Sequence, residues 1–523
     1  MSKTFNETYA DFLHNYSGDH KVVACDGVTL NAEQFKNRID ELTAHLAKLG
    51  IRKGMGVGYC IDNCSDNLPL FIAIARLGAY AVPQFFGYPD FVKTNMFKNT
   101  GVKVIVAETA QAESLKKLAE ENGADYQVTV LGELDGFYSL KGACSDNINL
   151  NDVVVEKPEK DLPLLIASSS GTTGIPKLVR ISQENFGSEI LIVGEMVTRD
   201  RKPANSYATV AAAFPLSTSV ISIILGSVFI GDYMVYSADT SPMTYLKNIQ
   251  DYKCTYMCAP PAYYEALLIF KDKCPYDLSS LGTVGAGMDF CPPALLKRLR
   301  TMFKNLNLYV NGYGLVETSN VFMHTAVDLT GEITGTSTLD VAGCVDNIIK
   351  VVDEDGNEVK VGETGQLLVK GPSVINGYMK AENNDCFEDG WFKSGDIVRL
   401  EGDRKITLLG RQKYFIKRGG KSVSPIVVQD AINKTPGIKA SGVVGAPHPL
   451  FGEMIWAFVV KEQGSEVSLK DIKAKCKEIL PVYMLPDQVE FIDAIPMKKG
   501  VGKVDFETLK EMAKQGVEKI SFK

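Results

Sequence analysis

Leu162-Pro163-Leu164-Leu165-Ile166-Ala167-Ser168-Ser169-Ser170-Gly171-Thr172-Thr173-Gly174-Ile175-Pro176-Lys177 joins an apolar run to a loop of hydroxyls and glycines. The run Leu162 to Ala167 reads as a buried strand, and the loop after it suits phosphate. Small residues let backbone N–H groups approach phosphate oxygens, the hydroxyls add donors, and Lys177 supplies a positive charge. The spacing is not that of a Walker loop, because GxxxxGK[ST] is absent. A plain Ser/Gly/Thr linker would account for any three of these residues but not for the whole ordered string.

Upstream of this stretch, helix and strand patterns alternate. Phe35, Ile39, Leu42, Leu46 and Leu49 recur at helical spacing, with Asn31 as N-cap and Gly50 as stop. A strand follows at Val57 to Ile61, a helix at Asn67 to Leu77, and strands at Tyr80 to Val82 and Val102 to Val106. The alternation predicts βαβ units and parallel sheet. Downstream, Ile349 to Val352 and Gln366 to Val369 flank turn-rich segments and predict a hairpin-rich, barrel-like part. Near Gly410 the chain enters GRQKYFIKRGGKS, where a domain boundary is expected. The expected architecture is therefore α/β, with a large N-terminal domain over 1–412 and a small C-terminal α/β domain over 413–523. In the latter, Val443 to Gly445 and Ile455 to Val460 read as strands and Leu469 to Leu480 as a helix.

The 523 residues are 45% hydrophobic and 23% charged, with a net charge of −7. No basic excess is available for a nucleic-acid backbone or an anionic membrane. The 11 cysteines are scattered without metal-ligand spacing and read as reduced core thiols. The N-terminus carries no secretory pattern, so a cytoplasmic location is expected. Tyr207 to Gly231 has no charged side chain, but Pro215, Ser217, Thr218, Ser219, Ser222, Gly226 and Ser227 interrupt it. It reads as a buried strand, a turn and a short helix rather than a membrane span.

A second cluster is Asn311-Gly312-Tyr313-Gly314-Leu315-Val316-Glu317-Thr318. Its glycines permit a flat ligand to approach, Tyr313 could stack on it, and Glu317 suits Mg²⁺, which takes one or two carboxylates beside phosphate oxygens. Taken with Ser169 to Lys177, this element resembles the Tyr-Gly-x-Thr-Glu signature of the adenylate-forming superfamily: acyl- and aryl-CoA synthetases, amino-acid adenylation domains and luciferases. Further matches follow in order at Gly362-Glu363-Thr364-Gly365, Gly377-Tyr378, Phe392-Lys393-Ser394-Gly395-Asp396, Gly410-Arg411, Leu480 to Pro486 and Gly502-Lys503-Val504-Asp505. The resemblance spans most of the chain.

It implies an ATP- and Mg²⁺-dependent activation of a small carboxylic acid to acyl-AMP, followed by transfer to a thiol. Both CoA and the phosphopantetheine of a separate carrier protein fit as acceptor; no carrier serine motif follows Lys503. A catalytically silent ligand-binding or regulatory protein on the same fold is the alternative from another class. By the same resemblance, Asp396 binds the ribose hydroxyls with Arg411 assisting. Ser169, Ser170, Gly171, Thr172, Thr173 and Gly174 cradle phosphates, and Asn311, Gly312, Tyr313 and Gly314 meet the adenine. Lys503 bridges the attacking carboxylate and the α-phosphate. The small domain is mobile in this family, with Lys413 at the hinge position and Gly419-Gly420 lining the thiol passage.

Two departures bear on the substrate. Val316 stands where a threonine hydroxyl is usual, with Thr318 nearby. Phe214 is followed by Pro215 rather than the aspartate that holds an α-ammonium, so a free amino acid is disfavoured. Dihydroxybenzoate ligases carry His-Asn at Ala212-Ala213. An apolar pocket formed by Ala212, Ala213, Phe214, Gly285, Gly287, Gly312 and Leu315, with Ser217 as its polar member, is expected for a plain aromatic or medium-chain acid.

Overall fold

The computed structural model describes residues 2–61, 64–84, 90–169, 177–198, 208–211, 218–287, 289–333, 335–379, 381–497 and 504–520. The expected N-terminal helix forms over Ala32–Lys48. Asn31 caps it by accepting from the Gln34 amide while the Gln34 side chain returns to the Asn31 amide, so two orphan donors are satisfied reciprocally. Gly50 follows at φ 83, the left-handed conformation that ends the helix.

The strands described form a 7-stranded, a 14-stranded and a 5-stranded sheet. In the first, Gly56–Cys60 pairs in parallel with Tyr80–Pro83 and Val102–Ala107. Pro163–Ser169 then joins Tyr80–Pro83, as the βαβ reading requires. The edge strand Lys177–Ser182 is antiparallel to Pro163–Ser169.

The 14-stranded sheet changes character along its width. Ala208–Ala211, Tyr256–Cys258, Thr283–Ala286 and Leu308–Tyr313 run parallel. From Leu308–Tyr313 onward the ladder is antiparallel, through Met323–Asp328, Thr338–Val341, Lys405–Arg411, Trp391–Gly402, Thr364–Lys370 and Ile348–Val352. The barrel-like part is therefore not separate. It is the antiparallel continuation of the parallel sheet, a half-barrel, and it bends back on the carboxyl end of the last parallel strand.

The helix Gln183–Thr198 covers one face of this sheet and is anchored at its start by Phe186, whose ring meets Phe5 edge-on at 5.7 Å and Phe71 at 5.5 Å. Within the uncharged segment, the strand Ala208–Ala211 and the helix Thr218–Phe229 are formed. No described helix is long and apolar enough to cross a membrane.

The chain leaves the large sheet at Arg411, makes a 3-10 turn over Gln412–Tyr414, and enters the 5-stranded sheet at Ile416. There Ile438–His448 and Gly452–Lys461 form a long hairpin flanked by the helices Pro425–Asn433, Leu469–Ile479 and Phe506–Val517.

Candidate active site

Ser169 and Lys177 are Cα partners in the antiparallel ladder, so the candidate phosphate loop closes between two paired strand ends. Ser170, Gly171, Thr172, Thr173 and Gly174 lie outside the described residues. So do Ala212, Ala213, Phe214, Ser217 and Lys503.

Lys177 places its ammonium 4.8 Å from the centroid of the Tyr378 ring. The Tyr378 hydroxyl donates to Glu317 Oε1 at 2.5 Å. One tyrosine thus connects the candidate phosphate lysine with the candidate metal carboxylate. Burial and the Glu317 carboxylate push its phenol far above the ordinary range, so it stays a donor. Gly377-Tyr378 was legible as a motif, but nothing in its spacing assigned this role.

Glu317 sits in the 3-10 turn Val316–Thr318 after the last parallel strand. A glycine is needed at Gly314, because a Cβ there would overlap the Asn320 carbonyl oxygen. Thr318 does not replace the threonine missing at Val316. Its hydroxyl is turned inward, accepting from the Leu315 amide at 2.9 Å and donating to the carbonyls of Leu315 and Asn320. The turn is also fastened from behind by Glu189, which accepts from the Val321 amide at 3.0 Å and Asn320 Nδ2 at 3.2 Å. Burial holds the Glu189 carboxyl well above the usual range despite those bonds. A lone glutamate on an apolar helix gives no sequence signal for such a part.

Asp396 and Arg411 are Cα partners on adjacent strands, with Arg411 Nε 3.0 Å from Asp396 Oδ1. The Tyr313 hydroxyl donates to Asp396 Oδ2 at 2.5 Å. Burial raises the Asp396 carboxyl above its ordinary value, against Arg411 and Tyr313, which lower it. Arg411 also donates to the Ser394 carbonyl at 2.9 Å. The sequence placed Tyr313 as a stacking face; its hydroxyl in addition orients the candidate ribose carboxylate. Asn311 donates to the Thr336 carbonyl at 2.7 Å.

The parallel strands present small residues on the face under Gln183–Thr198. Cys258 pairs with Gly285, and Gly285 with Val310. A Cβ on Gly312 would lie 3.2 Å from Met196 Sδ, and one on Gly287 3.1 Å from the Gly312 carbonyl oxygen. Leu315 instead packs with the half-barrel core beside Phe322 and Val374. Tyr256, Cys258 and Thr283 share the strip's face and give it polar groups.

In the small domain, Gly419 and Gly420 form the two-residue turn between Arg418 and Lys421, at φ 55 and 77. Positive φ at both positions is what a tight hairpin needs. Lys413 lies in the turn between the two sheets, 4.8 Å from the centroid of the Tyr414 ring. The Val504 amide, next to Lys503 in sequence, donates to Asp289 Oδ2 of the large sheet's region at 3.4 Å.

Residues 11–379 match the model of the AMP-binding enzyme family, and residues 428–503 that of the AMP-binding enzyme C-terminal domain. The chain belongs to the AMP-binding enzymes. It is an AMP-forming ligase, which activates a carboxylic acid as acyl-AMP and transfers the acyl group to a thiol. Among its relatives is a putative acyl-CoA ligase of Bacillus subtilis, 29% identical over 95% of both chains. A 2,3-dihydroxybenzoate-AMP ligase of the same organism is 27% identical over 97% of this chain and 93% of the relative's length. The amide bond synthetase McbA from Marinactinospora thermotolerans shares the fold, with a TM-score of 0.80 at 19% identity over 97% of this chain and 99% of that one. ATP and Mg²⁺ are the cofactors of such ligases. Glu317 offers one carboxylate, as Mg²⁺ bound mainly by phosphate and water requires.

Proposed function

We propose that this ligase activates an aromatic or medium-chain carboxylic acid, not an α-amino acid, and passes it to CoA or to the phosphopantetheine of a carrier protein. The observation that carries the reading is the contrast along one sheet edge. Asp396, Arg411 and Tyr313 form a charged, hydrogen-bonded end, while Tyr256, Cys258, Thr283, Gly285, Val310 and Gly312 beside it include no charged side chain. An α-ammonium would be desolvated there without a charged partner.

In this reading Asp396 accepts from the ribose hydroxyls while Arg411 holds its carboxylate in place. Ser169 to Gly174 and Lys177 bind the phosphates, and Glu317, steadied by Tyr378, holds the Mg²⁺ that neutralises phosphate charge when bound. The acid's carboxylate oxygen attacks the α-phosphorus and pyrophosphate leaves. Lys503 supplies positive charge where negative charge spreads over the oxygens. The thiol sulfur then attacks the acyl carbonyl, losing its proton, and AMP leaves. Lys413 and the Gly419-Gly420 turn serve this second step.

The test is ATP–pyrophosphate exchange over a panel of acids, followed by thioester assay with CoA and with a phosphopantetheinylated carrier. Benzoate-like or medium-chain acids should exceed dihydroxybenzoate and every α-amino acid. A preference for either of the latter would sink the substrate reading.

A further inference from the structure

Tyr256 is level with Thr283 in the parallel ladder, yet its hydroxyl reaches one pair further along the sheet. A Cβ on Gly285 would overlap that hydroxyl, with the Tyr256 Cζ next at 2.9 Å. The side chain therefore leans toward the carboxyl edge, as strand side chains do, and fills the space that Gly285 leaves empty. It is 1% exposed. Its hydroxyl lies toward the Cys258 side of the strip, and burial raises the Cys258 thiol to about 11 against the lowering effect of that phenol. On the helix side, Met196 Sδ and Val321 stand over Gly312, where a Cβ would meet them at 3.2 and 3.5 Å. The glycine strip is thus bounded by a thioether and a valine above and by one phenol hydroxyl at its inner end.

We propose that Tyr256 ends the acid pocket, setting both the length of acid admitted and the polarity preferred at its far tip. The proposal rests on the reading that Gly285 and Gly312 floor that pocket. The favoured substrate is then a compact aromatic acid whose tip carries a hydroxyl or carbonyl able to bond with a phenol, rather than a long alkyl chain. A hydroxyl or carbonyl on the substrate is a stronger hydrogen-bond partner for a phenol than the neighbouring thiol is. An alkyl tip would desolvate the hydroxyl and give nothing in return.

The experiment compares kcat/KM in pyrophosphate exchange for benzoate, para-hydroxybenzoate, para-propylbenzoate, hexanoate and decanoate. Wild type, Tyr256→Phe and Tyr256→Leu are assayed with thermal melting and ATP KM alongside. Tyr256→Phe should lower the ratio of para-hydroxybenzoate to benzoate by about tenfold and leave the longest accepted acid unchanged. Tyr256→Leu should raise kcat/KM for para-propylbenzoate or decanoate by about tenfold, with ATP KM unmoved. Unchanged ratios in folded Tyr256→Phe would overturn the proposal, whether or not the leucine variant folds. If wild type turns over the acids but prefers decanoate, Tyr256 does not end the pocket. If wild type activates none of them, the acid-pocket reading beneath the proposal falls first.

Discussion

The nucleotide end and the acid end of this site are built in opposite ways. At the first, a buried carboxylate is surrounded by partners: Asp396 takes Arg411 on one oxygen and Tyr313 on the other. At the second, the strands carry glycine at Gly285 and Gly312, and what crowds these positions is Tyr256, Met196 and Val321 rather than any charged group. A charged ligand group needs directed partners, and these hold their geometry at a cost in stability. An apolar group needs only room and dry walls, where area removed from water supplies roughly 25 cal/mol per Å². Selectivity for the nucleotide therefore lies in hydrogen bonds, and selectivity for the acid lies in shape.

The comparison breaks most severely at the lysine assigned to the reacting carboxylate and phosphate. Lys503→Ala should reduce acyl-AMP formation by about 10²–10³-fold, the scale of removing one donor from a developing oxyanion. Thioester formation from supplied acyl-AMP should stay near wild type. An equal loss in both half-reactions would make the lysine structural.

The next effect sharpens the claim that charge at the nucleotide end is held against stability. Because burial raises the Asp396 carboxyl above 3.8, the folded state binds its proton more readily than the unfolded state. Stability from this group is then present at low pH and is lost as pH rises from the unfolded value through the folded one. Asp396→Asn should melt above wild type at pH 7, lose that advantage at about pH 4, and raise ATP KM by about tenfold to a hundredfold. A variant that melts below wild type at pH 7 by the same margin as at pH 4 would show that Arg411 outweighs burial.

The smallest expected effect probes the acid end. In Gly312→Ala the new methyl pushes on Met196 Sδ, a flexible thioether, so destabilisation should stay near 1 kcal/mol. Exchange with ring-substituted benzoates should fall about tenfold, while small acids are much less affected. A general loss for all acids would argue that Gly312 serves the fold.

Much of this arrangement was legible in local pattern. The Asn31 cap, the strand before Ser168 and the alternation predicting parallel sheet depend on near neighbours, and the structure carries them. The strand read at Val443 to Gly445 extends over Ile438–His448, because pairing with Gly452–Lys461 holds residues whose own propensity is weak, Pro447 included. Pairings across the sheet were not legible. Asp396 meets Arg411 through ladder register, and Tyr378 meets Glu317 where the Ile375 amide donates to the Glu317 carbonyl. The inward turn of Thr318 followed from local hydrogen bonds that only the backbone path reveals. The depth of the acid end depends on what Gly285 lacks and Tyr256 fills, a complement of two strands with no trace in either one alone.

The pairing of Ser169 with Lys177 separates two kinds of order. The ladder itself brings the ends of the intervening segment together. Doubling its length would add only about 0.6 kcal/mol of closure entropy. Each residue that must settle into one conformation around a ligand costs about 1–2 kcal/mol. Insertions here should therefore cost little in melting temperature and be felt in nucleotide affinity, where the order of hydroxyls, glycines and Lys177 matters.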